Sequence, residues 1–210
     1  MKITAFIGTA AEMDSVFQIV IQKGYQNLIV DLRNNGGGNI ESGLTFAERL
    51  VDSTFYGGVF LTQKWFNAHK QLPNTSDYPK FMQLSESNYN LLLNGIHTTE
   101  GICLKVIPHQ PVYSGKLYIL CNGNTASTCE PIVYALKHLK RATLVGEKTA
   151  GAMLSGEMFE VEKGFSMMIP TADYYTFDGN RLDKAGVKPN IEVKTDALEY
   201  VLKNLIPLNP

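Results

Sequence analysis

Ser127 lies in the stretch Asn122-Gly123-Asn124-Thr125-Ala126-Ser127-Thr128-Cys129-Glu130-Pro131, where an apolar run gives way to a helical pattern. A serine at such a corner can act as a nucleophile, provided that an adjacent group takes its proton. The complementary half of that chemistry is offered by a second corner, Asn34-Asn35-Gly36-Gly37-Gly38. Three glycines in a row let backbone approach a ligand and aim N–H groups at negative charge. A nucleophile from one corner and oxyanion-binding amides from the other would make an acyl-transfer site. Each corner also has a plainer reading. Ser127-Thr128-Cys129-Glu130 has the form of a capping box, in which serine caps the helix and glutamate reaches back. The glycine run can be an ordinary turn, and no Lys-Ser or Lys-Thr follows it, as a phosphate loop would need.

The elements that must position these corners follow from periodicity. Residues 116–121 read as a buried strand, and Ile132, Val133, Leu136 and Leu139 fall on one face of the helix after it. Pro131 belongs in that helix's first turn, where its missing N–H costs nothing. Residues 27–33 form another strand, with Leu28, Ile29 and Val30 in a run expected of a parallel sheet covered on both faces. Ile40, Leu44, Ala47 and Val51 continue it as a helix, so both corners are strand-to-helix turns. Upstream, residues 1–8 read as a strand and 9–23 as a helix. Thr9 and Glu12 stand in capping-box register, Met13, Val16, Phe17 and Val20 share one face, and Gly24 ends the helix.

Residues 53–112 are irregular, broken by glycine and proline and rich in aromatics, and read as an insertion or cap with short helices such as 85–93. Its aromatics read as satellite core packing, and His69, His97 and His109 as surface residues. After the central helix, 142–145 is a short strand and 146–151 a glycine-bracketed loop. Residues 157–161, 165–169 and 171–177 read as strands, 187–193 as an extended edge piece and 196–204 as a closing helix. The class is α/β, with residues 1–210 forming a single domain.

Composition narrows the function. A net charge of -1 and no basic run exclude a nucleic-acid footprint and a polybasic membrane patch. No stretch is apolar enough to span a membrane, and the first eight residues are followed too soon by Glu12 and Asp14 to be a signal peptide. Cys103, Cys121 and Cys129 are odd in number and lack metal-type spacing, so they read as buried small residues, and neither metal nor cofactor is called for.

Four motifs in order, Asp31-Leu32-Arg33-Asn34-Asn35-Gly36-Gly37-Gly38, Thr125-Ala126-Ser127-Thr128-Cys129-Glu130, Gly146-Glu147-Lys148-Thr149-Ala150-Gly151 and Gly186-Val187-Lys188-Pro189, resemble the carboxy-terminal processing (tail-specific) peptidase family. That family includes the tricorn protease core and the repeats of interphotoreceptor retinoid-binding protein. The resemblance implies a crotonase-like or ClpP-like fold of stacked β-β-α units, and hydrolysis of peptide or protein substrates by serine chemistry. It also implies export in bacteria, to the periplasm or another extracytoplasmic place. Residue by residue, it makes Ser127 the nucleophile and gives the oxyanion hole to the N–H groups of Thr128 and one glycine, Gly37. Asp31 and Arg33 take a structural role, fixing the glycine turn by hydrogen bonds. Cys129 is a rival nucleophile in type only, because two residues along a helix is a rotation of ~200° away from Ser127.

The general base is where the sequence departs from the pattern. The tail-specific branch uses a lysine just after the third motif, and the residue here is Ala152. Lys148 is a nearby substitute. The tricorn-like branch, which this chain resembles more closely, uses a histidine ahead of the first glycine corner together with a late acid. Asp183 stands where that acid would, against a plainer reading as a solvated turn residue, but no histidine precedes His69, and His138 lies in the last turn of the helix after Ser127. Two readings follow: a catalytic part whose base lies upstream, favoured by the abrupt start without a recognisable PDZ-like module, or a domain that binds peptides or apolar ligands without catalysis. A crotonase-type acyl-CoA enzyme shares the fold and oxyanion hole but accounts for neither Thr125-Ala126-Ser127 nor Asp31-Leu32-Arg33.

Overall fold

The two apolar runs that precede the corners become the centre of a parallel sheet. The computed structural model describes residues 1–85 and 91–206. In chain order its elements are α1 (Ala10–Gln22), β1 (Asn27–Asp31), α2 (Ile40–Glu48), β2 (Phe55–Thr62), α3 (Gln63–Ala68), β3 (Met82–Leu84), α4 (Leu92–Thr98), β4 (Gly101–Val106), β5 (Lys116–Cys121), α5 (Cys129–His138), β6 (Ala142–Gly146), β7 (Leu154–Glu162), β8 (Phe165–Thr176), β9 (Ile191–Glu192) and α6 (Ala197–Asn204). One sheet is parallel throughout, in the order β1-β5-β6-β9, and the other runs β3-β4-β2-β8-β7.

Alternation along β5 explains the layering, since successive side chains of a strand point to opposite faces. Tyr118 and Leu120 join Val145, Ala197 and Val201 under α6, while Leu117, Ile119 and Cys121 join the main core on the other side. In that core α2 and α5 touch each other and also strands of the second sheet. The helices that begin at the two corners are therefore held between two sheets.

The N-terminal segment is extended, but pairs only through isolated bridges, Lys2 with Asp31 and Phe6 with Gly38. Phe6 is fully buried and meets Phe46 edge-on at 5.8 Å, a contact worth about 0.5–1.5 kcal/mol beyond burial. Its backbone accepts from the Asn39 N–H and donates to the Gly37 carbonyl, so the core reaches the glycine turn through this residue.

Several expectations need revision. Residues 53–112 supply β2 and β4, whose Val59, Leu61, Ile102 and Cys103 are buried in the middle of the second sheet. A register shift between Tyr56 and Gly58 breaks the strand pattern there, which is why the stretch reads as irregular. The helix expected over 85–93 falls partly on 86–90, outside the described residues, and α4 begins at Leu92. The two strands expected over 165–177 are one, β8, continuous through Pro170. Val16 and Leu139, on the expected apolar faces, are exposed. The capping box at Thr9 and Glu12 forms as read.

Candidate active site

Strands β1 and β5 are neighbours with Asp31 opposite Leu120, so the turns that follow them emerge side by side. The crevice outside the carboxyl ends of parallel strands is where ligands bind in open α/β sheets. Side chains and backbone stitch the turns together. The Asn34 N–H donates to Asn122 Oδ1 at 3.0 Å, and Asn122 Nδ2 donates back to Asn34 Oδ1 at 2.9 Å. Thr125 Oγ1 donates to the Leu32 carbonyl at 2.9 Å, and Thr128 Oγ1 to the Gly38 carbonyl at 2.8 Å. Contact is so close at Gly37, with φ 95°, that a Cβ there would stand 2.6 Å from Ser127 Cβ.

Ser127 has φ 53°, in the left-handed region that costs a non-glycine residue about 1–2 kcal/mol. Only half of the expected capping box survives this conformation. Glu130 Oε2 accepts from the Ser127 N–H at 3.2 Å, but the Glu130 N–H bonds to the Ser127 carbonyl rather than to its hydroxyl. The Ser127 hydroxyl therefore has no partner among the described residues. It sits in a cleft of about 350 Å³, walled by Gly38, Thr128, Phe60, Met153 and Ser155 among others. A small apolar cavity of about 30 Å³ lies behind, sharing Ile40, Thr128 and Met153 with the cleft and reaching Ala135 and Tyr174.

The Gly37 amide, expected to face an oxyanion, donates instead to Asn35 Oδ1 at 2.9 Å. Asn35 is fully buried, and its Nδ2 donates to the Ile3 carbonyl while its own carbonyl accepts from the Ala126 N–H. It fixes both turns to the N-terminal segment, a role its place in the first motif did not announce. Gly38 lines the cleft, and no described residue accepts from its N–H or from that of Thr128.

Glu130 is the other residue whose role exceeds its sequence reading. Its carboxylate is fully buried and takes four donors: Ser127 N–H, Ala152 N–H at 2.8 Å, Gly151 N–H at 2.8 Å and Thr149 Oγ1 at 2.6 Å. The third motif is thereby drawn onto the serine turn. Ala152 and Ser127 place their amides on one carboxylate oxygen, so position 152 adjoins the serine turn.

No described residue supplies a base in contact with the hydroxyl. Lys148 is exposed and makes no side-chain bond among the described residues. His69 pairs with Glu100, His109 with Asp14, and His138 stacks on Tyr134 near the far end of α5. His97 is on the helix of the cleft residue Leu92, and its Nε2 is held by Glu157 at 2.9 Å. Asp183 pairs with Arg181 at 3.1 Å, outside the cleft. Cys129 is fully buried, and burial pushes its thiol up to about 12, so it is no thiolate nucleophile. Cys103 and Cys121 are buried in the same way. Among the described residues no cluster of metal-ligating side chains occurs, and no helix is long and apolar enough to cross a membrane.

Asp31 and Arg33 clasp each other in a fork, Nε to Oδ1 at 2.9 Å and Nη2 to Oδ2 at 2.8 Å, and Arg33 reaches on to Asp196, the cap of α6. Burial acts to raise the Asp31 carboxyl, but the hydrogen bonds and charge of Arg33 outweigh it and leave the group below its ordinary value of 3.8. A carboxyl lowered on folding adds stability that is present above its unfolded pKa and lost as pH falls through the folded one. Urea midpoints should therefore decline below about pH 4, and Asp31→Asn should flatten that decline while lowering the midpoint at neutral pH. An unchanged acid slope in the variant would remove Asp31 from this account.

A model of the family described as Peptidase family S41 matches residues 1–193. Carboxyl-terminal-processing peptidase 3, chloroplastic, of Arabidopsis thaliana is 26% identical over 207 residues, covering 98% of this chain and 33% of that protein. Carboxy-terminal processing protease CtpA of Bacillus subtilis is 24% identical over 201 residues, covering 95% and 35%. Among solved structures, the photosystem II D1 C-terminal processing protease superposes with a TM-score of 0.62 at 24% identity, over 92% of this chain and 41% of that one. Mature CPAF gives 0.64 at 19% identity, over 91% and 45%. These likenesses show the α/β fold. The chain spans about a third of the length of the curated relatives it matches.

Proposed function

Because the chain belongs to peptidase family S41, we propose that it is the serine-peptidase unit of its protein, hydrolysing peptide bonds of peptide or protein substrates through an acyl-enzyme on Ser127. The observation that carries this reading is the Ser127 turn, which stores backbone strain, frees the hydroxyl from capping and presents it in a cleft beside two unengaged amides. Strain held by surrounding structure at such a point is a mark of functional sites. Ser127 Oγ attacks the substrate carbonyl carbon as its proton passes to a base. The carbonyl oxygen gains the negative charge and is met by the N–H groups of Thr128 and Gly38, Gly38 replacing Gly37 because the latter's N–H is already bound. Collapse breaks the C–N bond, the amine leaves with the proton from the base, and water then releases the acid from the serine ester.

The base is the missing part, and this reading draws it from a segment beyond the described residues. A fluorophosphonate, whose phosphorus bonds to an activated serine with loss of fluoride, should label an upstream-extended form of the protein. Labelling should vanish in Ser127→Ala and be slow in the 210-residue chain alone. If neither form is labelled, the second reading prevails: a module that binds peptides or apolar ligands without cutting them. Ala152 in place of lysine favours that alternative.

A further inference from the structure

From Ser127 the cleft leads onto β7, whose Ser155 and Gly156 form its wall. Beyond that wall β7 and β8 leave the sheet. The last pairing of β2 with β8 is Thr62 with Ala172, so from Gly156 and Pro170 to the tip the two strands form a ribbon without a third strand among the described residues. Such ribbons are marginal in water. This one also exposes large apolar side chains on both faces, which a free ribbon has no reason to carry. Met158 faces Met168 across the pair on one face, and Phe159 faces Met167 on the other, all exposed, with Val161 at 62% and Phe165 at 71% near the tip. On its outer side β7 is the free edge of the five-stranded sheet.

We propose that this ribbon is a docking strip for an extended polypeptide, which adds to the free edge of β7 as a third strand and runs along it into the Ser127 cleft. The identification of that strand with the substrate rests on the peptidase reading; its docking does not. Charge selects the occupant. Beyond Glu157, whose carboxylate engages His97, Glu160 and Glu162 lie along β7, and Lys163 is the single basic residue at the tip. A second copy paired edge to edge would bring these glutamates against their equivalents, and like charges across a strand pair destabilise it. A membrane with anionic lipids would be repelled by the same residues. An extended chain that alternates apolar with basic residues fits the edge, with its apolar face beside the Phe159 row and its basic face beside Met158 and Glu160.

The test uses the Ser127→Ala chain, so that binding is read without cleavage and stands or falls independently of catalysis. The probe is a fluorescein-labelled peptide alternating valine with lysine, followed by anisotropy. Phe159→Ser with Val161→Ser should weaken its binding roughly tenfold or more. Glu160→Lys with Glu162→Lys should invert the preference towards a valine–glutamate peptide, and N-methylation of alternate residues of the probe should abolish binding by removing the strand's donors. Circular dichroism controls for folding, and the charge-inverting pair provides a gain that a misfolded variant cannot show. Binding unchanged by both pairs of substitutions overturns the proposal. So does a loss of self-association in sedimentation without loss of peptide binding, which would assign the strip to a second copy, and so does retention on vesicles that the serine variants abolish while peptide binding persists.

Discussion

Replacing Ala152 by lysine should raise the rate at which a fluorophosphonate labels Ser127 in the 210-residue chain by about a hundredfold or more, the range in which a positioned base operates. Ala152 and Ser127 already share Glu130 Oε2 through their amides, at 2.8 and 3.2 Å. Ala152 is exposed, so a longer side chain has room to grow from it. A lysine must be neutral to accept the serine proton. A free lysine gives up its proton at about pH 10.4. The labelling rate of Ala152→Lys should therefore climb with pH until that amine is deprotonated, and adding Ser127→Ala should remove it at every pH. A folded Ala152→Lys chain that labels no faster than the parent would show that the turn does not aim position 152 at the hydroxyl, and the lysine branch of the family would cease to be a guide to this site.

The two corners were legible because each is a local event. An apolar strand, a turn rich in Gly and Asn, and a helix of period 3.6 announce themselves within a dozen residues, and β1, α2, β5 and α5 follow the reading closely. What joins the corners was not legible, because it depends on partners distant in the chain. Asn35 reads as one more turn residue until its side chain is seen reaching Ile3. Glu130 reads as the far half of a capping box, yet two of its four donors come from the backbone of Gly151 and Ala152. Ser127 itself shows how local chemistry is overridden: the sequence favours mutual capping, and packing of Gly37 against the turn accompanies a left-handed φ that breaks it. Residues 53–112 hid their strands for a related reason, since β2 carries Gly57 and Gly58 where the pairing slips.

Glu130→Gln should destabilise the fold on the order of 3 kcal/mol, and Glu130→Ala by more. If Glu130 were only a helix cap, its loss would cost about 0.5–2 kcal/mol, and glutamine, an accepted capping-box residue, would recover most of it. Its buried position makes a different demand. Ser127, Gly151 and Ala152 all point N–H donors at the two oxygens, and the Thr149 hydroxyl adds a fourth donor. A carboxylate accepts at both oxygens, whereas an amide must turn its own N–H₂ towards one side of this ring of donors. On one oxygen that sets donor against the amides of Ser127 and Ala152; on the other, against Gly151 and Thr149. Each buried donor left without an acceptor costs about 1–3 kcal/mol, so either orientation strands two. Thr149 is partly spared, because its hydroxyl also accepts from the Val187 N–H at 2.7 Å; the glutamine is therefore expected to present its N–H₂ to the Thr149 side. That orientation keeps the bond to Ser127 and breaks the one to Gly151, so urea midpoints should fall while the serine turn persists. Glu130→Ala removes both, and in the upstream-extended protein should abolish probe labelling that Glu130→Gln retains in part. A glutamine variant within about 1 kcal/mol of the parent would reduce Glu130 to a cap and leave the junction between the serine turn and the third motif without its proposed pin.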